Sequence, residues 1–182
     1  RSYDTICHEH LEYYSLKSLK YLLDKAGLKV INLSFNQING GSIEVDIAKK
    51  KSKQIECKHL INWVLESERL NKYNEIIKHK QFFKECQNHK ILLKKLLLTL
   101  KKQNKKILGY GASTKGNVLL QYCNIDSKVL DCIAEVNKFK FNKYTPGSNI
   151  KIISEKAAKL KKPDYMLALP WHFKDHIIKR EQ

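Results

Sequence analysis

The second half of the sequence alternates strand and helix signals, and this alternation restricts the folds that the chain can adopt. An apolar segment, 107–110, leads through a glycine-rich turn into a helical pattern at 118–123. Strands that alternate with helices usually pair in parallel through right-handed crossovers. The pattern therefore predicts an α/β domain with a parallel sheet over residues 105–182. The other predicted elements are strands at 129–134, 150–153 and 165–169 and helices at 154–160 and 171–179.

Residues 55–103 carry apolar side chains at helical spacing. The polar segment 66–71 interrupts the pattern and predicts a break between two helices. The second helix would have about 30 residues and a length above roughly 40 Å. Its period matches an ordinary α-helix better than a heptad repeat, which disfavours a coiled coil. We therefore predict a helical connector over residues 51–104.

The first 50 residues predict a helix followed by two strands. Ser15 can cap a helix that Gly27 ends. Strands are expected at 28–33 and 42–47, with a turn at Asn39-Gly40-Gly41 between them. The second strand alternates apolar and polar residues, which indicates one solvated face. We expect an antiparallel pair near the edge of a sheet.

The formal net charge is +17, and lysine supplies almost all of it. Arginine is present only at Arg1, Arg69 and Arg180, although base reading and bidentate phosphate binding favour arginine. The lysines are also spread along the whole chain. A basic nucleic-acid-binding protein is therefore a possible but disfavoured class.

The five cysteines form no CxxC pair, so neither a zinc site nor a disulfide framework is indicated. We expect reduced thiols in a cytoplasmic protein. No run of about 18 apolar residues is present, and we predict no membrane span. The chain begins with Arg1 and has its only methionine at Met166, so we expect part of the protein upstream to be missing.

Two histidines and a carboxylate lie together at His8-Glu9-His10. The preceding segment, 3–6, has β-type residues, and we expect the three side chains at a strand end that faces a cleft. Three interpretations are open. The histidines could bind a metal together with further ligands, or hold local structure through hydrogen bonds. One of them could also act as a general base near neutral pH.

The glycine-rich turn at 109–117 resembles a dinucleotide-binding turn without matching it. Gly116 follows Gly111 by five residues, whereas the dinucleotide pattern places its third glycine three after the second. Ser113 and Lys115 could bind an anion at the start of the helix. Glu135 is the nearest acid for a ribose. An anionic ligand with weak diphosphate character is favoured over NAD, and close packing alone is the alternative.

Trp171 and His172 follow the strand predicted at 165–169. An aromatic side chain at the carboxyl end of a strand can face a ligand in open α/β sheets. Packing at the start of the last helix is the favoured interpretation.

Taken together, these motifs resemble the sugar C-methyltransferase family over essentially the whole chain. The resemblance rests on five motifs in order: Tyr-Asp-Thr-Ile-Cys-His-Glu-His at 3–10, Tyr-Ser-Leu at 14–16, Gly-Gly-Ser at 40–42, Gly-Tyr-Gly-Ala-Ser-Thr-Lys-Gly-Asn at 109–117, and Leu-Pro-Trp at 169–171. Those enzymes act on nucleotide-linked deoxysugars.

The resemblance implies three domains: an N-terminal zinc-binding segment, a central S-adenosylmethionine domain of class I methyltransferase type, and a Rossmann-like C-terminal domain. Residues 1–50 would be the end of the central domain, 51–104 the helical connector, and 105–182 the complete C-terminal domain. The zinc segment and the glycine-rich cofactor loop would lie in a missing N-terminal part. We therefore expect that this chain alone binds no S-adenosylmethionine and is inactive.

The resemblance also assigns roles to residues. His10 would be the base that removes a proton next to a keto group, and Glu9 would position the sugar or the base. Cys7 and His8 are expected at the substrate, although Cys7 stands where the family usually has tyrosine. A non-catalytic nucleotide-sugar-binding remnant is the alternative function. The residues expected to face the nucleotide diphosphate are Gly111, Ser113, Lys115 and Asn117.

Overall fold

The computed structural model describes residues 2–38 and 41–181. The chain forms two compact units. The first unit is Leu11–Lys84, and the second unit is Arg1–His10 together with Glu85–Gln182. The predicted domain boundaries at residues 50 and 104 stay predictions.

Helix α1 of the first unit, Leu16–Lys25, is capped as the sequence predicts. The Ser15 hydroxyl accepts a hydrogen bond from the Ser18 backbone N–H at 3.2 Å, and the Ser18 hydroxyl accepts one from the Ser15 N–H at 2.9 Å. This reciprocal pair satisfies two N–H groups that have no partner within the helix. Gly27 follows the helix with a φ of 73°, a backbone conformation that favours glycine.

Strands β1 (Leu28–Asn36) and β2 (Ser42–Lys49) form the predicted antiparallel pair. Leu33 pairs with Val45, and the register shifts once between Val30 and Asn32. Gly41 has a φ of 124°, while Asn39 and Gly40 of the predicted turn lie outside the described residues. The core of this unit is formed by Leu16, Val30, Leu33, Ile61 and Val64.

Helix α2 is Lys58–Leu70 and helix α3 is Ile76–Lys102. The predicted break at 66–71 is wrong, because α2 continues through most of that segment. An ion pair one turn apart, between Arg69 and Glu66 at 2.6 Å, is compatible with a helix there. The helix ends before Lys72, whose φ of 58° is left-handed. The 27 residues of α3 agree with the predicted long helix.

Four parallel strands form the sheet of the second unit, as the sequence predicts. Their order is β5-β4-β3-β6, so the chain moves outward from β3 and then returns to its other side. This α/β arrangement is consistent with a Rossmann-like domain. The strands are β3 (Ile107–Tyr110), β4 (Ile133–Glu135), β5 (Ile152–Ser154) and β6 (Tyr165–Ala168).

Several boundaries in this unit differ from the predictions: the helix expected at 118–123 begins already at Thr114, and the strand expected at 150–153 is 152–154. The strand expected at 129–134 is limited to β4, because the Asp126 carbonyl accepts hydrogen bonds from the N–H groups of Val129 and Leu130 and turns the chain. The terminal helix expected at 171–179 is a 3-10 helix, Trp171–Phe173, followed by α6. The helices of this sheet domain are α4 (Thr114–Tyr122), α5 (Glu155–Leu160) and α6 (Lys174–Glu181).

The sheet is buried on both faces. The larger cluster includes Ile107, Leu120, Leu130, Ile133, Ile150 and Leu169, and the smaller one includes Leu108, Tyr110, Cys132, Ala134 and Ala158.

The N-terminal segment of the second unit is a turn and not a strand. Tyr3–Thr5 is a 3-10 helix, with a hydrogen bond from the Ile6 N–H to the Tyr3 carbonyl at 3.0 Å. The expectation that 8–10 lie at a strand end is therefore wrong. Within the described residues no helix is long and apolar enough to cross a membrane.

Candidate functional site

The side chains of His8, Glu9 and His10 are exposed. His8 Nε2 lies 3.8 Å from Glu9 Oε1, which is a loose contact between two well-hydrated groups. Over residues 2–38 and 41–181, no group of three His, Cys, Asp or Glu side chains could hold a metal ion. The three side chains are thus neighbours in the sequence, and all three are accessible to a ligand.

One hydrogen bond distinguishes His10 from its neighbour. Its Nδ1 lies 2.7 Å from the Thr5 carbonyl oxygen. A carbonyl oxygen can only accept, so Nδ1 carries the hydrogen in this arrangement. In the neutral ring the lone pair is then on Nε2, which is the atom able to take up a proton. The His10 N–H also donates to the Cys7 carbonyl at 3.0 Å, which closes the loop that carries the ring.

Tyr3 attaches this segment to helices α3 and α4. Its hydroxyl lies 2.8 Å from His89 Nδ1 and 3.4 Å from Cys123 Sγ. Burial raises the pKa of Tyr3 well above its ordinary value, so the hydroxyl stays protonated and can donate to His89. The ring also packs at a tilt against Tyr122, with 5.0 Å between the centroids.

Asp4 attaches the same segment to the end of β6. It is 6% exposed, and its Oδ2 accepts a hydrogen bond from Trp171 Nε1 at 2.8 Å. The indole N–H of Trp171 therefore donates to the N-terminal segment. Neither sequence interpretation of Trp171, ligand contact or helix-start packing, anticipated this bond. A buried carboxylate without such a donor would be strongly unfavourable.

Close packing explains the glycines of the turn at 109–117. A Cβ at Gly109 would lie 2.7 Å from Ile133 Cγ1, and one at Gly116 would lie 2.8 Å from Leu169 Cβ. Gly111 combines a φ of 81° with a position where a Cβ would be 2.8 Å from the Pro170 ring. Each glycine is thus required by the fold, and their presence does not by itself indicate a phosphate.

The neighbouring strand β4 supplies an anion to this turn. Glu135, at the end of β4, accepts hydrogen bonds from the Ala112 N–H at 2.8 Å through one oxygen and from the Val136 and Asn137 N–H groups through the other. Lys140 donates to the Ala112 carbonyl at 2.7 Å. Glu135 is where the sequence suggested a ribose ligand, but both of its oxygens are engaged by backbone N–H groups.

The remaining predicted anion-binding residues lie at the start of α4. The Ser113 hydroxyl accepts from the Gly116 N–H at 3.0 Å and so caps the helix. Asn117 Oδ1 is buried and has no hydrogen-bond partner among the described residues. Lys115 acts electrostatically on His172, whose pKa is lowered first by burial and then by this lysine, while Asp4 opposes the shift. Gly111 of the glycine-rich turn lies against Pro170, and Asp4 of the N-terminal turn is bonded to Trp171, so both turns lie close to His172.

A cleft of about 390 Å³ lies at the carboxyl ends of β3 and β4. Gly111 and Ser113 line it together with Glu135, Phe173 and Arg180, whereas the lining includes neither Lys115 nor Asn117. Its rim is charged: Arg180 pairs with Glu155, and Glu181 accepts a hydrogen bond from the Tyr110 hydroxyl at 3.0 Å.

The described residues do not fit S-adenosylmethionine. In the first unit β1 and β2 are joined as a hairpin, and the segment 50–57 that leads from β2 into α2 contains no glycine that would let the backbone approach the cofactor. In the second unit the acid at the second strand end and the Ala112 N–H are already bonded to each other.

Sequence reasoning identified His10 and the glycine-rich turn but not what holds them. Tyr3 and Asp4 belong to a recognised motif, yet no local signal pairs Asp4 with Trp171, which is 167 residues away. The role of Glu135 was likewise missed, although an acid that directly ends a buried strand was the available signal.

Comparison with known proteins gives a consistent result. A family model described as the C-methyltransferase C-terminal domain matches residues 37–182. C-methyltransferase NovU from Streptomyces niveus is 32% identical over 180 residues, which is 99% of this chain and 43% of that protein. The chain thus spans about two-fifths of the length of the relative that it matches.

Proposed function

The chain belongs to the C-methyltransferase C-terminal domain family, and we propose that it is the C-terminal portion of an S-adenosylmethionine-dependent enzyme that methylates a carbon of a nucleotide-linked keto-deoxysugar. The family match over residues 37–182 supports the class of enzyme. The sugar is proposed from the resemblance of the motifs at 3–10 and 109–117. The cofactor pocket is proposed to lie outside residues 2–38 and 41–181.

The proposed contribution of this chain is proton abstraction by His10. Nε2 takes the proton from the carbon next to the keto group, the C–H electron pair becomes the enolate, and the negative charge moves to the keto oxygen. The observation that carries this proposal is the hydrogen bond between Nδ1 and the Thr5 carbonyl, because it leaves the lone pair on Nε2. Histidine is the side-chain type most often used as a general base.

Glu9, Cys7 and His8 are proposed to contact the sugar or orient the base. Glu9 and His8 are exposed and so accessible to a substrate, and Cys7 is partly exposed. Cys7 lacks the hydroxyl of the tyrosine that the family usually has there, so we propose that the remaining contacts hold the sugar.

The nucleotide diphosphate is proposed to bind near the start of α4. Lys115 supplies a positive charge there, and Asn117 Oδ1 is a buried acceptor that a ligand hydroxyl could satisfy. The Ala112 N–H donates to Glu135 and adds nothing to phosphate binding. In this proposal Gly111 and Ser113 shape the turn, while Lys115 and Asn117 contact the ligand.

The test follows the proton and does not depend on the methyl donor. The whole chain is incubated in D₂O with thymidine-diphosphate-4-keto-6-deoxyglucose, and deuterium next to the keto group is measured by NMR. We expect incorporation above the buffer rate, and we expect His10→Ala to reduce it at least about a hundredfold, as loss of a general base typically does. His79→Ala, an exposed histidine on α3, is the matched control and should leave the rate unchanged.

Two outcomes would overturn the proposal. One is incorporation that His10→Ala leaves intact. The other is binding of the keto sugar by the unaltered chain without any incorporation, which would favour the non-catalytic nucleotide-sugar-binding function.

A further inference from the structure

We infer that Asp4 and Trp171 form a positioning pair that holds the His10 imidazole in its proton-accepting arrangement. The inference rests on the proposed role of His10 and adds two residues that act through another group. They are positioning residues, since neither is placed at the reacting atoms.

Asp4 is buried, although the residues that follow it are mostly exposed. The segment 7–10 is mostly exposed, yet Asp4, a few residues earlier, is 6% exposed. A buried carboxylate needs a hydrogen-bond donor, and among the described residues the Trp171 indole N–H donates to Asp4 at 2.8 Å. Trp171 follows Pro170 at the end of β6, so the bond ties the N-terminal turn to a rigid part of the sheet.

Tyr3, the residue next to Asp4, anchors the same turn at a second point. The Tyr3 hydroxyl contacts His89 and Cys123, on α3 and just after α4. Tyr3 and Asp4 belong to one 3-10 helix of three residues. Two neighbouring side chains thus bind different elements of the sheet domain, and the turn cannot rotate without breaking at least one of these contacts.

This turn is bonded to His10, the proposed base. Thr5 is the last residue of the same turn, and its carbonyl oxygen accepts from His10 Nδ1 at 2.7 Å. The Thr5 hydroxyl donates to the Ser2 carbonyl at 2.7 Å and fixes the peptide that carries this oxygen. The direction of the Thr5 carbonyl therefore depends on how the turn is held, and the tautomer of His10 depends on that carbonyl.

At Trp171, the packing of the ring and the hydrogen bond of the indole N–H are separate interactions. Its ring meets the His172 ring edge-on at 6.0 Å between centroids, and the side chain is 42% exposed. Packing of the ring alone does not require an acceptor, because an exposed indole N–H can donate to water. The hydrogen bond to Asp4 is thus a separate contribution, which Trp171→Phe removes while keeping an aromatic ring.

The experiment measures the His10 tautomer in the whole chain by long-range ¹H–¹⁵N NMR at alkaline pH, where the neutral form of the ring is observed. The His10 signals are assigned by their loss in His10→Ala. We expect Nδ1–H as the main form in the unaltered chain. In Trp171→Phe and Asp4→Ala we expect Nε2–H to become the main form, and Asp4→Asn, which keeps an acceptor oxygen, should retain Nδ1–H.

Trp63→Phe is the matched control, because Trp63 lies on α2 and is 64% exposed. It should change neither the tautomer nor the rate. In the deuterium assay, Trp171→Phe should lower the saturating rate about tenfold while the apparent KM stays within about twofold, since misplacing a base affects the chemical step. A purely structural role would lower the unfolding midpoint and leave the tautomer and the rate unchanged.

Failure of the proposed function and failure of the Asp4–Trp171 positioning role give different results. If His10→Ala keeps the exchange rate, the proposed function fails, and the tautomer measurement still tests the pair. If His10→Ala abolishes exchange while Trp171→Phe and Asp4→Ala leave the tautomer as it is, the pair has no positioning role. Should Asp4→Ala fail to fold, as judged by circular dichroism, Trp171→Phe decides alone, because it removes one N–H and keeps an aromatic ring at this position.

Discussion

The glycine-rich turn at 109–117 and the N-terminal turn at Tyr3–Thr5 both carry candidate site residues, but they are held by different forces. Backbone packing holds the first, since a Cβ at Gly109, Gly111 or Gly116 would approach a neighbouring side chain to within 2.8 Å. Side-chain hydrogen bonds to distant residues hold the second. The motif that is easier to recognise in the sequence is thus explained by packing, whereas His10, the proposed base, depends on contacts between residues that are distant in the sequence.

The largest expected effect tests the packing of the first turn. Gly111→Ala adds a methyl group 2.8 Å from the Pro170 ring at a φ of 81°. We expect a loss of about 3 kcal/mol in the free energy of unfolding, from overpacking together with backbone strain. Urea unfolding followed by circular dichroism measures it.

The matched control is Gly27→Ala, because Gly27 has a similar φ of 73° and no atom within 4 Å of the added methyl group. It should cost about 1 kcal/mol, the strain of the left-handed conformation alone. Equal losses in the two variants would show that close packing is not what requires glycine at 111.

A smaller effect tests the side-chain bonds of the second turn. Tyr3→Phe removes the hydroxyl that contacts His89 and Cys123 and keeps the ring against Tyr122. We expect a loss of about 1 kcal/mol in the free energy of unfolding, the usual net value of one hydrogen bond. Tyr144→Phe, an exposed tyrosine in the same unit, should have no measurable effect. If the Tyr3→Phe variant is as stable as the unaltered chain, the Tyr3 hydroxyl does not anchor the turn.

The smallest effect lies at His172, which is close to both turns. Burial and Lys115 lower the pKa of this histidine, so the folded state favours the neutral ring. Its contribution to stability is present above the unfolded pKa of about 6.5 and is lost as the pH falls through the lower folded pKa. We expect the free energy of unfolding to fall between neutral and mildly acidic pH, and His172→Gln to make that fall shallower. The fall is measured by urea titrations at several pH values, and His176→Gln, an exposed histidine on α6, is the control.

Most of the second unit could be predicted from the sequence. Short apolar segments separated by helical patterns predict parallel strands, and four were found in that order. The boundaries were less predictable, because local hydrogen bonds decide them. The turn closed by Asp126 shortened β4, and the left-handed Lys72 moved the break between α2 and α3. Such local contacts do not alter the spacing of apolar residues, from which the boundaries were predicted.

The candidate site was predictable only in its residue types. A histidine next to a carboxylate, preceded by β-type residues, predicted a base at a strand end, and the strand proved to be a 3-10 turn. Glu135 was weighed as a ribose ligand and instead accepts hydrogen bonds from the glycine-rich turn itself. A carboxylate at this position can serve either partner, and only the neighbouring N–H groups decide between them.

The sequence by itself determined the class of the fold, the family to which the chain belongs and the presence of a histidine suited to proton abstraction. These follow from the spacing of apolar residues and from short motifs, which are properties of neighbouring residues along the chain. Only the tertiary structure decided which nitrogen of His10 carries the hydrogen and what holds its turn in place. Those features depend on hydrogen bonds that act over about 3 Å in space, and the Asp4–Trp171 bond joins residues from opposite ends of the sequence.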